Sequence, residues 1–428
     1  MKLTIPSIPH LVHIETTYDC NQQCRFCYNP NRHKKYCQAV VDRIVLSVFE
    51  SWVPHVYLIG GEPSLLGNKK LNEYVELLSQ RSSVTIVTNG QIHLEELSDK
   101  LACIGVPIHG DEGTHDFLAN KKGSYRNTLR SIERYVQRGF DVRCIPVLTS
   151  KNFDQMYEII ELAKAIGMES VFVDRFEDGG LGSCNSEELK PSLVQFRIAL
   201  GQMIAARNKF GMPVGWGTAI PYCLDERLIS ENMTADCGAG ITFCAVNPLG
   251  EVRVCNQSEK VYGNVLEAPL EKIWHTPALS EFRDLGWVEK PCTSCSVLVE
   301  CMCGCKVDVN HSDAFCIDYA VRENGRFCEP VIPSANHGNM AAIPEDLRHF
   351  TLDKYVRLNL RYEEKYLVTR YQTILVDELA IGLLQQIMSG LRSEEELISL
   401  NAGKINQSEV RKFVSILETI GAIQVARR

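Results

Sequence analysis

Between Leu11 and about residue 210, short apolar, β-branched runs alternate with longer stretches whose apolar residues recur every three or four positions. This is the pattern of strands and helices wound around a parallel sheet. Six strands are predicted: LVHIET from Leu11, HVYLIGG from His55, VTIVT from Val84, IGVPI from Ile104, DVRCIPVLT from Asp141 and ESVFVDRF from Glu169. Helices fill the intervals, among them NEYVELLSQ after the second strand and SYRNTLRSIERYVQ before the fifth, the latter closed at Gly139. Residues 211–236 read as an irregular bridge, and 237–330 as a loop-rich region with a hairpin at Pro248-Leu249-Gly250. Val331 to Pro344 carries two prolines, Ser, Asn and Gly and reads as a linker. Beyond it come two short strands, YVRLNL and KYLVTR, and then the helical stretches VDELAIGLLQQIMSG, SEEELISL and SEVRKFVSILETIG, with Ser393 and Ser408 as N-caps. The division this predicts is 1–215, 216–330, a linker at 331–344, and 345–428.

With 428 residues, 45% of them hydrophobic and 23% charged, the chain has the composition of a soluble globular protein with ample core. A net charge of -8 speaks against nucleic acid as a partner. Cysteine changes the picture, at 18 of 428 residues. The N-terminus has no signal-like apolar segment and no run is long enough to cross a membrane, so the expected location is the cytoplasm, with no membrane partner. In that reducing compartment clustered cysteines read as metal ligands rather than disulfides.

Cys20, Cys24 and Cys27 form CxxxCxxC just after the first strand. Three thiolates in eight residues cannot share a helical face, so a loop around a compact metal centre suits them better. Three ligands leave one iron of a [4Fe-4S] cluster open to a small molecule. A zinc loop completed by His33 or Cys37 is the alternative from the residues alone.

This spacing, with Phe26 before the third cysteine, resembles the radical S-adenosylmethionine superfamily. Gly60-Gly61-Glu62-Pro63 after the second strand resembles its GGEP turn, Thr88-Asn89-Gly90 after the third its TNG, and the stretch ending at Asn152 its ribose-side segment. His115-Asp116 and Lys122-Gly123-Ser124 are similar to the region after its fourth strand. Each motif comes just after a predicted strand, so on a parallel barrel all collect at the C-terminal rim. The resemblance implies a partial (β/α)6 TIM-like barrel of the α/β class. Phe26, Gly60, Gly61, Glu62, Pro63, Thr88, Asn89 and Asn152 would bind S-adenosylmethionine.

Ten cysteines lie between 237 and 328. Cys292-x2-Cys295-x5-Cys301-x3-Cys305 and the upstream Cys237-x12-Gly250-x4-Cys255 are similar to the SPASM extension of radical enzymes, which carries two auxiliary [4Fe-4S] clusters. By resemblance, Cys237, Cys255 and Cys305 hold the first, with Cys244 as fourth ligand. Cys292, Cys295 and Cys301 hold the second, closed by Cys328 in preference to Cys316. Cys303 is surplus, and Cys37, Cys103, Cys144, Cys184 and Cys223 default to core thiols, with Cys223 the one worth testing because its segment approaches the barrel mouth. A zinc ribbon is the alternative for the CxxC pairs.

Residues 345–428 suggest a small winged-helix-like α+β domain. Residues 340–428 contain 12 Lys+Arg and 12 Asp+Glu, without the basic excess DNA binding needs. The wording resembles the PqqD-like leader-recognition element, which pairs an exposed strand edge with an extended peptide. Val356 to Leu360, Lys365 to Arg370 and the helix from Val410 are the expected contacts. Taken together, the resemblance implies an oxidoreductase: a radical S-adenosylmethionine peptide maturase with three [4Fe-4S] clusters and a precursor peptide bound through its leader. An external one-electron reductant such as flavodoxin or ferredoxin would feed it. One electron cleaves S-adenosylmethionine to methionine and a 5'-deoxyadenosyl radical, which takes a hydrogen atom from the peptide. The auxiliary clusters accept the electron left over as an oxidative modification forms, a cross-link being the expected one. A formylglycine-type protein maturase would share the first two domains without needing the third. An iron-sulfur sensor with a DNA-binding tail would leave GGEP and TNG unexplained. Asp111, Glu112, Asp174 and Glu177 lie at strand ends, and none stands out as a proton acceptor.

Overall fold

The computed structural model describes residues 3–32, 34–306, 317–323 and 348–425. His33, Cys316, Cys328 and the expected linker lie outside the described residues. Eight strands build the first part of the sheet: β1 (Leu11–Glu15), β2 (His55–Ile59), β3 (Ser83–Val87), β4 (Cys103–Val106), β5 (Val142–Cys144), β6 (Val147–Leu148), β7 (Ser170–Arg175) and β8 (Val214–Trp216). Every pairing among them is parallel, and the sheet continues past β1 through β9 (Phe243–Val246), β10 (Glu251–Arg253) and β11 (Gly263–Asn264). β9 runs parallel to β1, whereas β10 and β11 are antiparallel additions. The result is an open α/β barrel extended at one edge by the cysteine-rich region.

Alternating strand residues divide the two faces. Val12, Ile14, Val56, Leu58, Val84, Ile86, Ile104, Val106, Val171 and Val173 form the core beneath the surrounding helices, all buried. His13, Tyr57 and Arg143 point the other way, into the lumen, where His13 stacks on Tyr57 and Arg143 donates to the Tyr57 hydroxyl at 3.2 Å. The helix Ser124–Gln137 has the predicted limits; Asp116 accepts from the Gly123 and Tyr125 amides at its start.

Two expectations for the barrel change. DVRCIPVLT is not one strand, because Pro146 has no N–H to continue the ladder; β5 pairs with β4 and β7, and β6 with β7 alone. The irregular bridge contains β8, a three-residue parallel partner of β7 too short and glycine-containing to show a period.

The C-terminal residues have their own core, including Phe350, Leu367, Leu384, Ile387, Val410 and Val414. A three-stranded antiparallel sheet, β13 (Arg357–Asn359), β14 (Tyr366–Val368) and β15 (Thr373–Leu375), lies beside the pair β12 (Phe350–Leu352) and β16 (Ile423–Val425). Of these strands only β13 and β14 were legible in the sequence. Ser393 caps its helix in a full capping box with Glu396, but the last helix starts at an Asn406 cap rather than Ser408, again with a capping box, to Glu409. This unit docks on the N-terminal end of the barrel: Tyr355 donates to Leu101 O at 2.7 Å, Asn359 to Trp52 O at 2.7 Å, and Tyr371 to Asp141 at 3.0 Å. Arg370 pairs with Asp141, and Arg143 in the lumen lies over the Tyr371 ring.

Candidate active site

The loop carrying Cys20, Cys24 and Cys27 sits at the C-terminal end of the barrel, held by four backbone bonds to three other segments. The Gly61 amide donates to Thr17 O at 2.7 Å and the Glu62 amide to Asp19 O at 2.8 Å. Arg25 N donates to Leu118 O at 2.9 Å, and Leu181 N to Cys27 O at 2.8 Å. A Cβ on Gly60, whose φ is +133°, would approach Thr17 O to 2.6 Å, and one on Gly61 would overlap Asp19 O. The two glycines are therefore needed for close approach to the chain's own cysteine loop.

Glu62 explains why GGEP and TNG occur together. Its side chain is buried, and its oxygens accept from Ser64 N at 2.9 Å, Thr88 Oγ1 at 2.6 Å and Asn89 N at 2.7 Å. Burial raises its proton affinity while these donors oppose the shift. Asn89 in turn donates to Asn21 Oδ1 at 2.7 Å and points its amide at Cys20 Sγ, 3.9 Å away. Pro63 opens the short helical turn that Glu62 caps.

The residues around the three thiols fit an anionic, thiolate-held centre. Burial raises the proton affinity of Cys20 and Cys24, each is raised further by neighbouring thiols, and Arg32 opposes the rise in both. All three guanidinium nitrogens of Arg32 are shielded from solvent and have no acceptor among the described residues. A buried cation with unused donors beside three thiols is a favourable setting for negative charge.

Phe26 packs with Leu118, Phe176 and Leu189 and meets the edge of His109 at 4.7 Å. Behind it lies a polar chain in which the sequence had marked His115 and Ser124 but not His109, Gln22 or the bonds among them. His109 N donates to His115 Nδ1 at 3.2 Å, His115 Nε2 lies 3.1 Å from Ser124 Oγ, and Gln22 donates to the same hydroxyl at 2.6 Å. Burial lowers the His115 pKa to about 4 and that of His109 well below normal, so both rings are neutral near pH 7. Asn152 corrects an expectation. It is fully buried, accepts from Thr149 N and Oγ1, and donates to His109 O and Val147 O, so its amide braces the loop and is not free for a ribose.

Asp174 faces the lumen from β7, beside Gly217, where a Cβ would overlap its Oδ1. It is half-buried there, and desolvation pushes its pKa up to about 7. Because the folded state holds this proton more tightly than the unfolded chain, stability should fall as pH rises from about 4 to about 7 and level off above. Asp174→Asn should remove that fall and gain about 2–4 kcal/mol at pH 8 but little at pH 4, the range allowing for water in the lumen. Melting curves at both pH values test this; equal gains at the two would contradict it.

The cysteine-rich region separates its thiols into two groups. Met302, Cys303 and Gly304 have successive positive φ values of 53°, 64° and 72°, a reversal that sends Cys301 and Cys305 different ways. Cys255 is pushed up to about 12 by burial and then by Cys237, and Cys305 is raised by burial, Glu177 and then Cys237, so Cys237 acts on both. Cys244 does not join them. It is a buried core residue of β9 between apolar neighbours, and Arg283 is the charged group that acts on it. A strand pointing its side chain between sheet and helices cannot also present it to the loop site, so the expected fourth ligand is corrected. Cys292, Cys295, Cys301 and Cys303 line a separate small cavity, whose wall Cys223 shares. Thiols gathered around one cavity suit a polynuclear cluster.

Arg175, at the end of β7, joins barrel and cysteine-rich region. It makes a two-pronged pair with Asp318, at 3.0 and 2.6 Å, and reaches Glu177 at 2.9 Å, all three almost fully buried. Asp318 also accepts from the Cys305 amide at 2.8 Å. At the C-terminal unit, β14 is the central strand, with both edges hydrogen-bonded, so Lys365 to Arg370 cannot offer an edge to a peptide. β13 lies against the barrel, which leaves β15 as the open edge, with Leu375 67% exposed and Leu379 48% exposed after it.

Residues 14–163 match the radical SAM superfamily, and residues 237–296 match SPASM, an iron-sulfur cluster-binding domain. A PqqA peptide cyclase of Methylocella silvestris is 24% identical over 349 residues, spanning 77% of this chain and 89% of that protein. The mycofactocin maturase MftC of Mycobacterium ulcerans is 28% identical over 316 residues, spanning 68% and 81%. In fold, SuiB of Streptococcus suis bound to its precursor peptide SuiA superposes with a TM-score of 0.60, at 18% identity, over 74% of this chain and 76% of that one. Among the described residues no helix is long and apolar enough to cross a membrane.

Proposed function

Since this chain carries a radical SAM domain followed by a SPASM iron-sulfur domain, with the [4Fe-4S] clusters and S-adenosylmethionine those domains use, we propose that it is a peptide maturase installing an oxidative cross-link. The observation that carries this reading is the joining of three strand-end motifs into one site. The cysteine loop is hydrogen-bonded to GGEP, and Glu62 ties GGEP to TNG. Relatives named as a peptide cyclase and a mycofactocin maturase support a ribosomal peptide as the substrate.

In this reading Cys20, Cys24 and Cys27 hold the catalytic cluster, which supplies the single electron that cleaves S-adenosylmethionine. The Gly60-Gly61 backbone and Asn89 frame the cofactor, with Glu62 and Thr88 fixing their positions. Arg32 offers its unused donors to negative charge there. Phe26, Leu118 and Phe176 exclude water from the wall, because an exposed radical would react with whatever it met. Cys237, Cys255 and Cys305 hold one auxiliary cluster, and Cys292, Cys295 and Cys301 another. The leader would add to β15 as a further strand, its apolar side chains reaching Leu375 and Leu379. A flavodoxin or ferredoxin would supply electrons, in the cytoplasm.

The test is incubation of the reconstituted, reduced protein with S-adenosylmethionine and a short precursor peptide encoded beside its gene. The expected result is 5'-deoxyadenosine together with a peptide that has lost hydrogen. Intact clusters with no deoxyadenosine in the presence of the peptide would sink the maturase reading.

A further inference from the structure

Cys223 lies between the two matched regions, in the short turn Tyr222–Leu224 beyond the last barrel strand. The fold brings it to the second cysteine cavity, whose wall it shares with Cys292, Cys295, Cys301 and Cys303. The turn is fixed there by several contacts. Tyr222 N approaches Cys301 Sγ at 3.4 Å, and the Tyr222 hydroxyl donates to Glu300 O at 3.0 Å. Pro221 packs so closely on Gly304 that a Cβ at that glycine would approach it to 2.5 Å. Three residues of that wall, Cys292, Cys295 and Cys301, are the thiols read above as the second auxiliary set.

We propose that Cys223 is the fourth thiolate of the second auxiliary site, completing the set Cys292, Cys295 and Cys301. This rests on the three-cluster reading of the chain. A cubane cluster needs four ligands at its corners. Three of these come from one continuous loop, so the remaining corner is best reached from another segment of the chain. Cys303 lines the same cavity but belongs to that same loop, whereas Cys223 comes from a separate turn whose Tyr222 amide meets Cys301 Sγ. With Cys223 in place the cluster is fully thiolate-ligated, and its role is electron transfer rather than substrate binding. The ligand also ties the end of the barrel covalently, through iron, to the cysteine-rich region.

The experiment compares iron and sulfide content and the low-temperature electron paramagnetic resonance spectrum of reconstituted wild type, Cys223→Ser, Cys303→Ser and Cys328→Ser. Wild type should hold about twelve irons per chain, and Cys223→Ser about eight, with one reduced-cluster signal lost or converted to a three-iron signal. The remaining two signals report that this variant has folded. Cys303→Ser and Cys328→Ser should keep about twelve. A Cys223→Ser protein with undiminished iron and an unchanged spectrum overturns the proposal, as does loss of the same signal in Cys303→Ser or Cys328→Ser alone. A wild type holding well under twelve would instead bring down the three-cluster reading, and the proposal with it.

Discussion

On the three-cluster reading proposed above, replacing Cys20, Cys24 and Cys27 together with alanine should reduce 5'-deoxyadenosine formation to background while leaving about eight of twelve irons in place. The two auxiliary groups draw their thiols from other segments, so they have no reason to empty. The variant should also fold. The loop is fixed by backbone bonds from Gly61, Glu62, Arg25 and Leu181, and none of these uses a cysteine sulfur. Melting temperature should therefore change little, and iron counting beside product analysis separates loss of chemistry from loss of structure. Persistent deoxyadenosine would place the catalytic centre elsewhere in the chain.

The second large effect is expected at Asp318. Alanine there leaves Arg175 buried with Glu177 as its one carboxylate partner among the described residues and removes the acceptor of the Cys305 amide. Stranding a buried charge costs roughly 3–5 kcal/mol, far more than an exposed pair contributes. The loss should be expressed at the join between barrel and cysteine-rich region, because Arg175 belongs to β7 and Asp318 to the segment beyond the auxiliary cysteines. Thermal unfolding should shift to markedly lower temperature, and iron in the Cys237, Cys255 and Cys305 group should fall. Asp318→Asn, which keeps an acceptor for the Cys305 amide, should retain more of that iron than Asp318→Ala. A change under about 1 kcal/mol with full iron content would show the network to be dispensable.

The barrel strands were legible because a parallel sheet covered by helices needs continuous β-branched runs, and these runs stand out against the intervening helical period. The shorter pieces were not. β8 has three residues and β6 has two, too few to show any period, and they exist because β7 offers its edges. Likewise β12 and β16 pair across some seventy residues, so neither carries a strong local signal. The C-terminal unit read as separate from the barrel, because docking through Tyr355, Asn359 and Tyr371 depends on three scattered side chains reaching acceptors on the barrel.

The same division runs through the site. Spacing along the chain was enough to mark Cys20, Cys24 and Cys27, GGEP and TNG, since ligands on one loop and turns at strand ends are local features. It was also enough to bring these motifs to one rim, because a parallel barrel gathers the loops at the ends of its strands. Spacing could not say what each motif touches. Only the tertiary structure spent Glu62 on Thr88 and Asn89, enclosed Asn152 among carbonyls and turned Cys244 into the core. It also carried Cys223 to a cavity formed some seventy residues later in the chain. A side chain's direction and neighbours are set by packing between distant segments, and no local pattern of residues encodes that meeting.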